Sequence, residues 1–161
     1  MKTRHYLLML LLAFWSINTD AQMNLALGKN TKQSSTSHGG VSARAVDGNT
    51  NTSWGAGSIT HTVSQQNPWW QVDLGAMYEI TKIEIWNRKD CCSNRLNNFN
   101  IIIKKGINDE GEMFLSQNQK VTGSEKLPIT LTGSKVGRYV MIKIFGNNKI
   151  LSLPEVKVYG N

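Results

Sequence analysis

The chain has 161 residues, with 18 Lys and Arg against 11 Asp and Glu, a formal net charge of +7, and 40% hydrophobic residues. That length suits one domain able to bury its own core without several disulfides. Beyond residue 21 its basic residues are scattered from Lys29 to Lys157 in runs no longer than two, Lys104-Lys105 among them, which argues against a nucleic-acid partner: that would call for clustered cations interleaved with aromatics.

At the N-terminus, Lys2, Arg4 and His5 precede a nearly unbroken apolar run from Tyr6 to Trp15, and Thr19-Asp20-Ala21 offers a small-residue cleavage site. Residues 1–21 therefore read as a secretory signal peptide, too short to span a bilayer, and 22–161 as one secreted domain. No later stretch is long and apolar enough for a membrane segment.

The rest of the chain reads as short strands. Val72 and Leu74 alternate with Gln71 and Asp73, Ile83 and Ile85 with Lys82 and Glu84, and Leu127, Ile129 and Leu131 recur at every second position. Val140, Ile142 and Ile144 alternate with Tyr139, Met141, Lys143 and Phe145, as in a strand covered on both faces, and Val156 and Val158 close the pattern. Turn-forming clusters separate these runs: Ser34 to Gly40, Asp47-Gly48-Asn49, Gly106 to Gly111, Thr122-Gly123-Ser124 and Gly146-Asn147-Asn148. The expectation is an all-β, antiparallel sandwich or jelly roll with binding loops gathered at one end. Trp69 and Trp70 are assigned to the fold, and Trp54 and Trp86 to core or rim.

Cys91 and Cys92 are the only cysteines, and they are adjacent. Two free thiols or a bridge to another chain are the alternatives to a vicinal disulfide. A vicinal bridge holds its Cα atoms about 3.8 Å apart against the usual range of roughly 4.4–6.8 Å, and such compression points to a functional position. A two-residue ring removes little chain entropy, so its value must be local, as a rigid plate of sulfur and CH₂ that can lie against the C–H face of a sugar.

Arg88 and Arg95 flank this plate. On one straight strand they would stand roughly 23 Å apart, so they can share a ligand only if the segment from Asp90 to Asn94 reverses the chain. Asp90, two residues from Arg88, is placed to hold that guanidinium by paired hydrogen bonds. The rigid fork of an arginine can address two sugar oxygens at once. Either arginine alone would be read as a surface ion pair; the cluster beside the cysteines favours a ligand site. The segment 22–161 holds only His38 and His61, with no His-Glu-x-x-His or Gly-x-Ser-x-Gly motif and no carboxylate pair in an acid/base setting, so no enzyme is expected.

These residues resemble the F-type lectin (fucolectin) family, whose signature is a His, then Arg-x-Asp, then a basic residue after a short loop, often around a vicinal disulfide. Here it reads His61, Arg88-Lys89-Asp90, Cys91-Cys92 and Arg95. The similarity runs from Asn24-Leu25-Ala26 through Ala45-Val46-Asp47-Gly48-Asn49, Asn67-Pro68-Trp69-Trp70-Gln71-Val72-Asp73-Leu74-Gly75 and Gly137-Arg138-Tyr139-Val140 to Pro154-Glu155-Val156.

The resemblance implies an eight-stranded, discoidin-like β jelly roll, related to coagulation-factor C domains, that binds terminal α-L-fucose on glycans without chemical turnover. His61, Arg88 and Arg95 would hydrogen-bond the axial 4-hydroxyl, the 3-hydroxyl and the ring oxygen. Asp90 would orient Arg88, and Cys91-Cys92 would pack against the ring. It also implies a structural Ca²⁺ held by the side chains of Asp47 and Glu155 with oxygens from Arg44, Asn49, Ser58 and Pro154, an oxygen-rich set of the kind calcium favours. On residue type alone, Asp47-Gly48-Asn49 reads more readily as a plain turn. The implied partners are fucosylated glycans and glycoproteins, with homo-oligomerisation as a route to avidity. One departure is that Ile59 and Pro154 stand where relatives often carry a second, long-range disulfide.

Two residues stay open at this point: His38, in the loop from Ser34 to Val41, is either part of the pocket for the fucose methyl or plain surface, and Asn51-Thr52-Ser53 is a glycosylation acceptor by pattern. The competing function is a discoidin-type phospholipid- or protein-binding adhesion module, which would use exposed apolar loop tips where this chain has mostly polar loops.

Overall fold

Period-two alternation sends successive side chains to opposite faces, and in the computed structural model it produces strands at the expected runs. The structure describes residues 22–115 and 126–161; the signal-peptide reading over 1–21 and the Thr122-Gly123-Ser124 turn lie outside the described residues. The strands are β1 (Asn30–Gln33), β2 (Trp69–Trp86), β3 (Phe99–Lys104), β4 (Glu112–Leu115), β5 (Lys126–Ile144) and β6 (Val156–Gly160). Three short 3-10 helices, Ser42–Val46, Trp54–Ala56 and Ser93–Leu96, sit in the loops, where no helical period was visible in the sequence.

All pairings are antiparallel, in the order β1-β2-β5-β3-β4, with β6 also on β2. Strand β2 changes edge partner along its length: Trp70 to Asp73 face β1, whereas Ile80 to Ile85 face β6. Register shifts between Asp73 and Tyr78 and between Ile80 and Lys82 accompany that change. Such irregularities bend a strand and raise its twist, so the β2-β5 ribbon serves both layers of a β-sandwich. Eight strands were expected; the described residues carry six, because β2 and β5 each run on through the irregularities.

The core lies between the layers. Trp70, Val72, Leu74, Ile80, Ile83 and Ile85 of β2 meet Val140, Ile142 and Ile144 of β5, Phe99, Ile101 and Ile103 of β3, and Val156 and Val158 of β6. Each such aliphatic or aromatic side chain contributes about 1.5–3 kcal/mol by leaving water. The shift near Ile80 explains why the inward set steps from 80 to 83 rather than 82. Trp70 is fully buried and its Nε1 donates to the Ser42 carbonyl at 2.9 Å, as a fold residue should. On the opposite face of β5 the expected double cover is partial: Tyr139 is buried, Met141 and Lys143 are half-buried, and Phe145, beyond the strand end, is 43% exposed. Near Lys143 the chain is leaving the sheet, and the cation lies over the Phe145 ring at 4.9 Å instead of a covering layer.

Loops attached to both ends of β2 meet. Ser34 N donates to Trp69 O at 2.9 Å where β2 begins, and Lys89 N, just past its end, donates to Thr52 O at 3.1 Å.

Candidate functional site

His61 is carried on an extended segment that is stitched into the loop after β1. Its N–H donates to Gly40 O at 2.9 Å and its carbonyl accepts from Ser37 N at 2.8 Å. That approach needs glycine: a Cβ at position 40 would lie 2.6 Å from His61 N and 2.7 Å from its Cβ. The imidazole is 7% exposed. Its Nδ1 lies 2.8 Å from Thr62 O. A carbonyl can only accept, so Nδ1 carries the proton and Nε2 is the unprotonated, accepting nitrogen. Burial lowers the His61 pKa below 6.5, with the charges of Arg95, His38 and Arg88 adding to the effect against an opposing hydrogen bond to Thr62.

The chain reversal that the two arginines require is present. Cys92 adopts a left-handed conformation at φ 61°, and the 3-10 helix Ser93–Leu96 follows at once, with Arg95 N donating to Cys92 O at 3.0 Å. Across the legs of this loop, Asn87 Nδ2 donates to Ser93 O at 2.9 Å. Arg95 Nη1 thereby reaches His61 Nε2 at 3.2 Å. Burial lowers the Arg95 pKa, and the nearby Arg88 charge lowers it further. Two guanidiniums and one imidazole thus converge, with Asp90 behind Arg88 as the one acid beside them, an arrangement suited to oxygen acceptors.

Asp90 stands behind Arg88 and holds it by a fork: Nε to Oδ1 at 2.7 Å and Nη2 to Oδ2 at 3.1 Å. The same Oδ2 accepts from Trp54 N at 3.2 Å. The Arg88 bond, chiefly, holds the Asp90 carboxyl below its ordinary pKa. Cys91 and Cys92 form the vicinal disulfide, with Cα atoms 3.8 Å apart, half-buried beside the arginines.

Sequence reasoning left Trp54 at the core or rim, and it forms a wall of the site. Its ring packs edge-on against His61 with centroids 5.3 Å apart, and the Arg88 guanidinium lies 5.2 Å from its centroid. His38, in turn, packs edge-on to His61 at 5.2 Å and to Trp54 at 6.3 Å, its Nδ1 bonded to Ser37 Oγ at 2.7 Å. Trp54 is brought there by a ladder of Asx turns: Asn49 N to Asp47 Oδ1, Asn51 N to Asn49 Oδ1, and Ser53 N to Asn51 Oδ1, at 2.8, 3.1 and 3.0 Å. The alternating Asp47-x-Asn49-x-Asn51 pattern was the available signal for this path.

The residues of the expected ion site are neighbours too. Glu155 is fully buried; Oε2 accepts from Gly48 N at 3.3 Å, while Oε1 has no hydrogen-bond partner. Burial pushes its pKa up to about 7, with the Asp47 charge acting in the same direction. Ser58 is fully buried with Oγ bonded to Asn51 O, and Pro154 is buried beside Glu155. The Arg44 side chain donates to Ile59 O at 3.1 Å, which leaves only its carbonyl for a cation. An orphaned buried carboxylate oxygen next to a second carboxylate and several carbonyls fits a hard divalent cation. Among the described residues no three His, Cys, Asp or Glu cluster, so carbonyl oxygens would have to complete any such shell.

Comparison with known proteins bears on the family of the chain. Residues 44–142 match the F5/F8 type C family described as a NedA-like, galactose-binding domain. Fucolectin-1 of Anguilla japonica is 34% identical over 88% of this chain and 83% of its own. A fucose-binding module of Streptococcus pneumoniae, SpX-3, superposes with TM-score 0.76 at 40% identity, over 86% of this chain and 98% of the module. A serum f-lectin (fucolectin) of Morone saxatilis (striped bass) superposes with TM-score 0.80 at 40% identity, over 86% of this chain and 49% of that longer one.

Proposed function

Because the chain belongs to the fucolectin family, within the F5/F8 type C, galactose-binding-like domains, we propose that it is a secreted lectin that binds terminal α-L-fucose on glycans and glycoproteins without transforming it. The observation that carries this reading is the convergence of His61 Nε2 and the Arg88 and Arg95 guanidiniums beside the Cys91-Cys92 plate. A sugar hydroxyl is both donor and acceptor. One that displaces the direct Arg95–His61 contact takes an N–H from the guanidinium and gives its own proton to Nε2, which only an unprotonated imidazole can receive. Arg88, locked by Asp90, supplies two further donors at fixed angles to a neighbouring oxygen.

Specificity follows from what the pocket leaves unmet. Charge-assisted hydrogen bonds contribute about 1.5–3 kcal/mol each, and leaving a buried partner unsatisfied costs roughly 1–3. A hexose with an equatorial 4-hydroxyl cannot span Arg95 and His61 and binds far more weakly. The Trp54 and His38 rings beside His61 supply apolar surface for the C6 methyl. Turnover is not expected: the one carboxylate at the site, Asp90, is committed to Arg88 and Trp54.

Calcium belongs to the same reading. Asp47 and Glu155 side chains with oxygens of Arg44, Asn49, Ser58 and Pro154 would hold it, and Glu155 Oε1 is the buried atom in want of a partner. When bound, the ion neutralises the two carboxylates. Asn49 and Asn51 carry the Asx ladder that leads to Trp54, so ordering at Asp47 is passed by the chain itself to the wall of the sugar site.

Titration calorimetry with methyl α-L-fucoside tests the proposal. Saturable binding that His61→Ala, Arg88→Ala and Arg95→Ala abolish while the proteins stay folded is the expected result. Liposome binding that persists in excess fucose would favour a discoidin-type adhesion module instead. Release of free fucose from a glycan would overturn the non-catalytic assignment.

A further inference from the structure

The outer face of the sheet carries a second constructed cleft. Trp70 and Val72 point into the core, so Gln71 and Asp73 between them point the other way. Two adjacent rungs run across three strands at this place: Lys32, Gln71 and Met141, then Asn30, Asp73 and Tyr139. All of these but Met141, together with Thr31 and Ile107, line a cleft of about 320 Å3, at the small end of the roughly 300–1,000 Å3 of ligand pockets.

Three details show that the cleft is built rather than accidental. Ile107 stands on the turn after β3, and Lys104, only 7% exposed, holds it there by donating Nζ to its carbonyl at 2.5 Å. That leaves Ile107 as an apolar wall, 46% exposed. Asp73 is gripped by Arg138 through Nε at 2.7 Å and Nη2 at 2.8 Å, and Arg138 in turn lies 5.2 Å from the Tyr139 ring centroid. The charges of that pair cancel. Gln71, finally, is only 6% exposed, yet among the described residues its amide has no hydrogen-bond partner. Its two donors and its acceptor are left to the water in a cleft with an apolar wall, so a ligand of matching character can take them up.

A pyranose has that character: a C–H face for Ile107 and Tyr139, and an edge of hydroxyls that donate and accept for Gln71. We propose that this cleft is a second carbohydrate subsite, for a neutral pyranose, on the face of the sheet formed by β1, β2 and β5. None of its residues belongs to the loop site of His61, Arg88 and Arg95, so it stands apart from the fucose reading. A single chain then engages two sugars, which raises avidity on a glycan-rich surface without self-association.

The test is NMR titration of the protein with lactose, cellobiose and mannobiose at millimolar concentration, in the wild type and in His61→Ala. At least one of these sugars should move the Gln71 side-chain amide and Tyr139 ring resonances, equally in both proteins. Gln71→Ala and Ile107→Asp should each weaken that response about tenfold, with methyl α-L-fucoside affinity unchanged. Ile107 is exposed on a turn, so its variant decides the matter if Gln71→Ala folds poorly. Still resonances with all three sugars, a response lost in His61→Ala, or a response indifferent to Ile107→Asp would each overturn the proposal. A failed fucose titration would instead bear on the loop site alone.

Discussion

Acid should switch the fucose site off, and His61 sets the range. Its Nδ1 proton is committed to Thr62 O, so an added proton can go only to Nε2, the atom proposed to receive the sugar hydroxyl, which lies 3.2 Å from Arg95. Protonation removes an acceptor and places a cation against two guanidiniums; the opposing charges on hand are those of Asp90, already paired to Arg88. Because the folded pKa lies below 6.5, the ring is neutral at about pH 7.5 and affinity is full there. Loss begins below 6.5, and each pH unit under the folded midpoint costs a further factor of about ten, or 1.36 kcal/mol. Stability follows the same sign. Between the folded value and 6.5 the unfolded chain binds the proton more readily, so this contribution is complete above 6.5 and is lost as pH falls through the folded pKa. Asp90, held below its ordinary value, stays ionised throughout and does not blur the profile. Calorimetry with methyl α-L-fucoside from about pH 7.5 to about pH 5, alongside an NMR titration of the His61 ring, makes the measurement. An affinity that stays flat while the His61 ring takes up its proton, or a decline centred above 6.5, would refute the assignment of Nε2 as the hydroxyl acceptor. A profile that shifts in His38→Gln but not with the His61 ring would move the effect to the wrong histidine.

Four other outcomes are expected. Asp90→Ala should weaken fucose binding about tenfold by freeing Arg88, yet change stability by no more than about 1 kcal/mol, since the pair is partly exposed; chemical denaturation separates the two. Reduction of Cys91-Cys92 should lower affinity several-fold while the thermal midpoint barely moves, because a two-residue ring constrains little of the unfolded chain. Calcium should raise the thermal midpoint by several degrees over chelator-treated protein, and Glu155→Gln should erase the difference; an unchanged midpoint would remove the ion from the site. Gly40→Ala should damage binding, because its Cβ would press within 3.0 Å of His61 backbone; calorimetry with circular dichroism distinguishes a displaced site from an unfolded one.

Most of the candidate site was readable along the chain because it is written on one short segment. Arg88, Asp90, Cys91, Cys92 and Arg95 lie within eight positions, and the requirement that the chain reverse there is met by the left-handed Cys92. The sheet was legible for the same local reason, through the alternation in β2, β5 and β6. What escaped depends on distant parts meeting. Trp54 reaches the site only because three Asx turns steer the chain and Asp90, 36 residues on, accepts from its N–H. Arg138 and Asp73 grip each other across 65 residues, and nothing local to either marks the pairing. The strand count depended on whether β2 and β5 break or merely bend, which is decided by pairing register rather than by composition.

The position of Trp54 has an optical consequence. Of the four tryptophans in the described part of the chain, Trp70 is fully buried, Trp86 is 9% exposed and Trp69 is half-buried at the start of β2, whereas the half-buried Trp54 indole touches both His61 and Arg88. Protonated imidazole quenches indole emission, and displacement of local water shifts its colour, so the molecule carries a built-in fluorescent gauge of its own occupancy. Light emitted near this ring can follow sugar capture and acid release in real time, with no label attached.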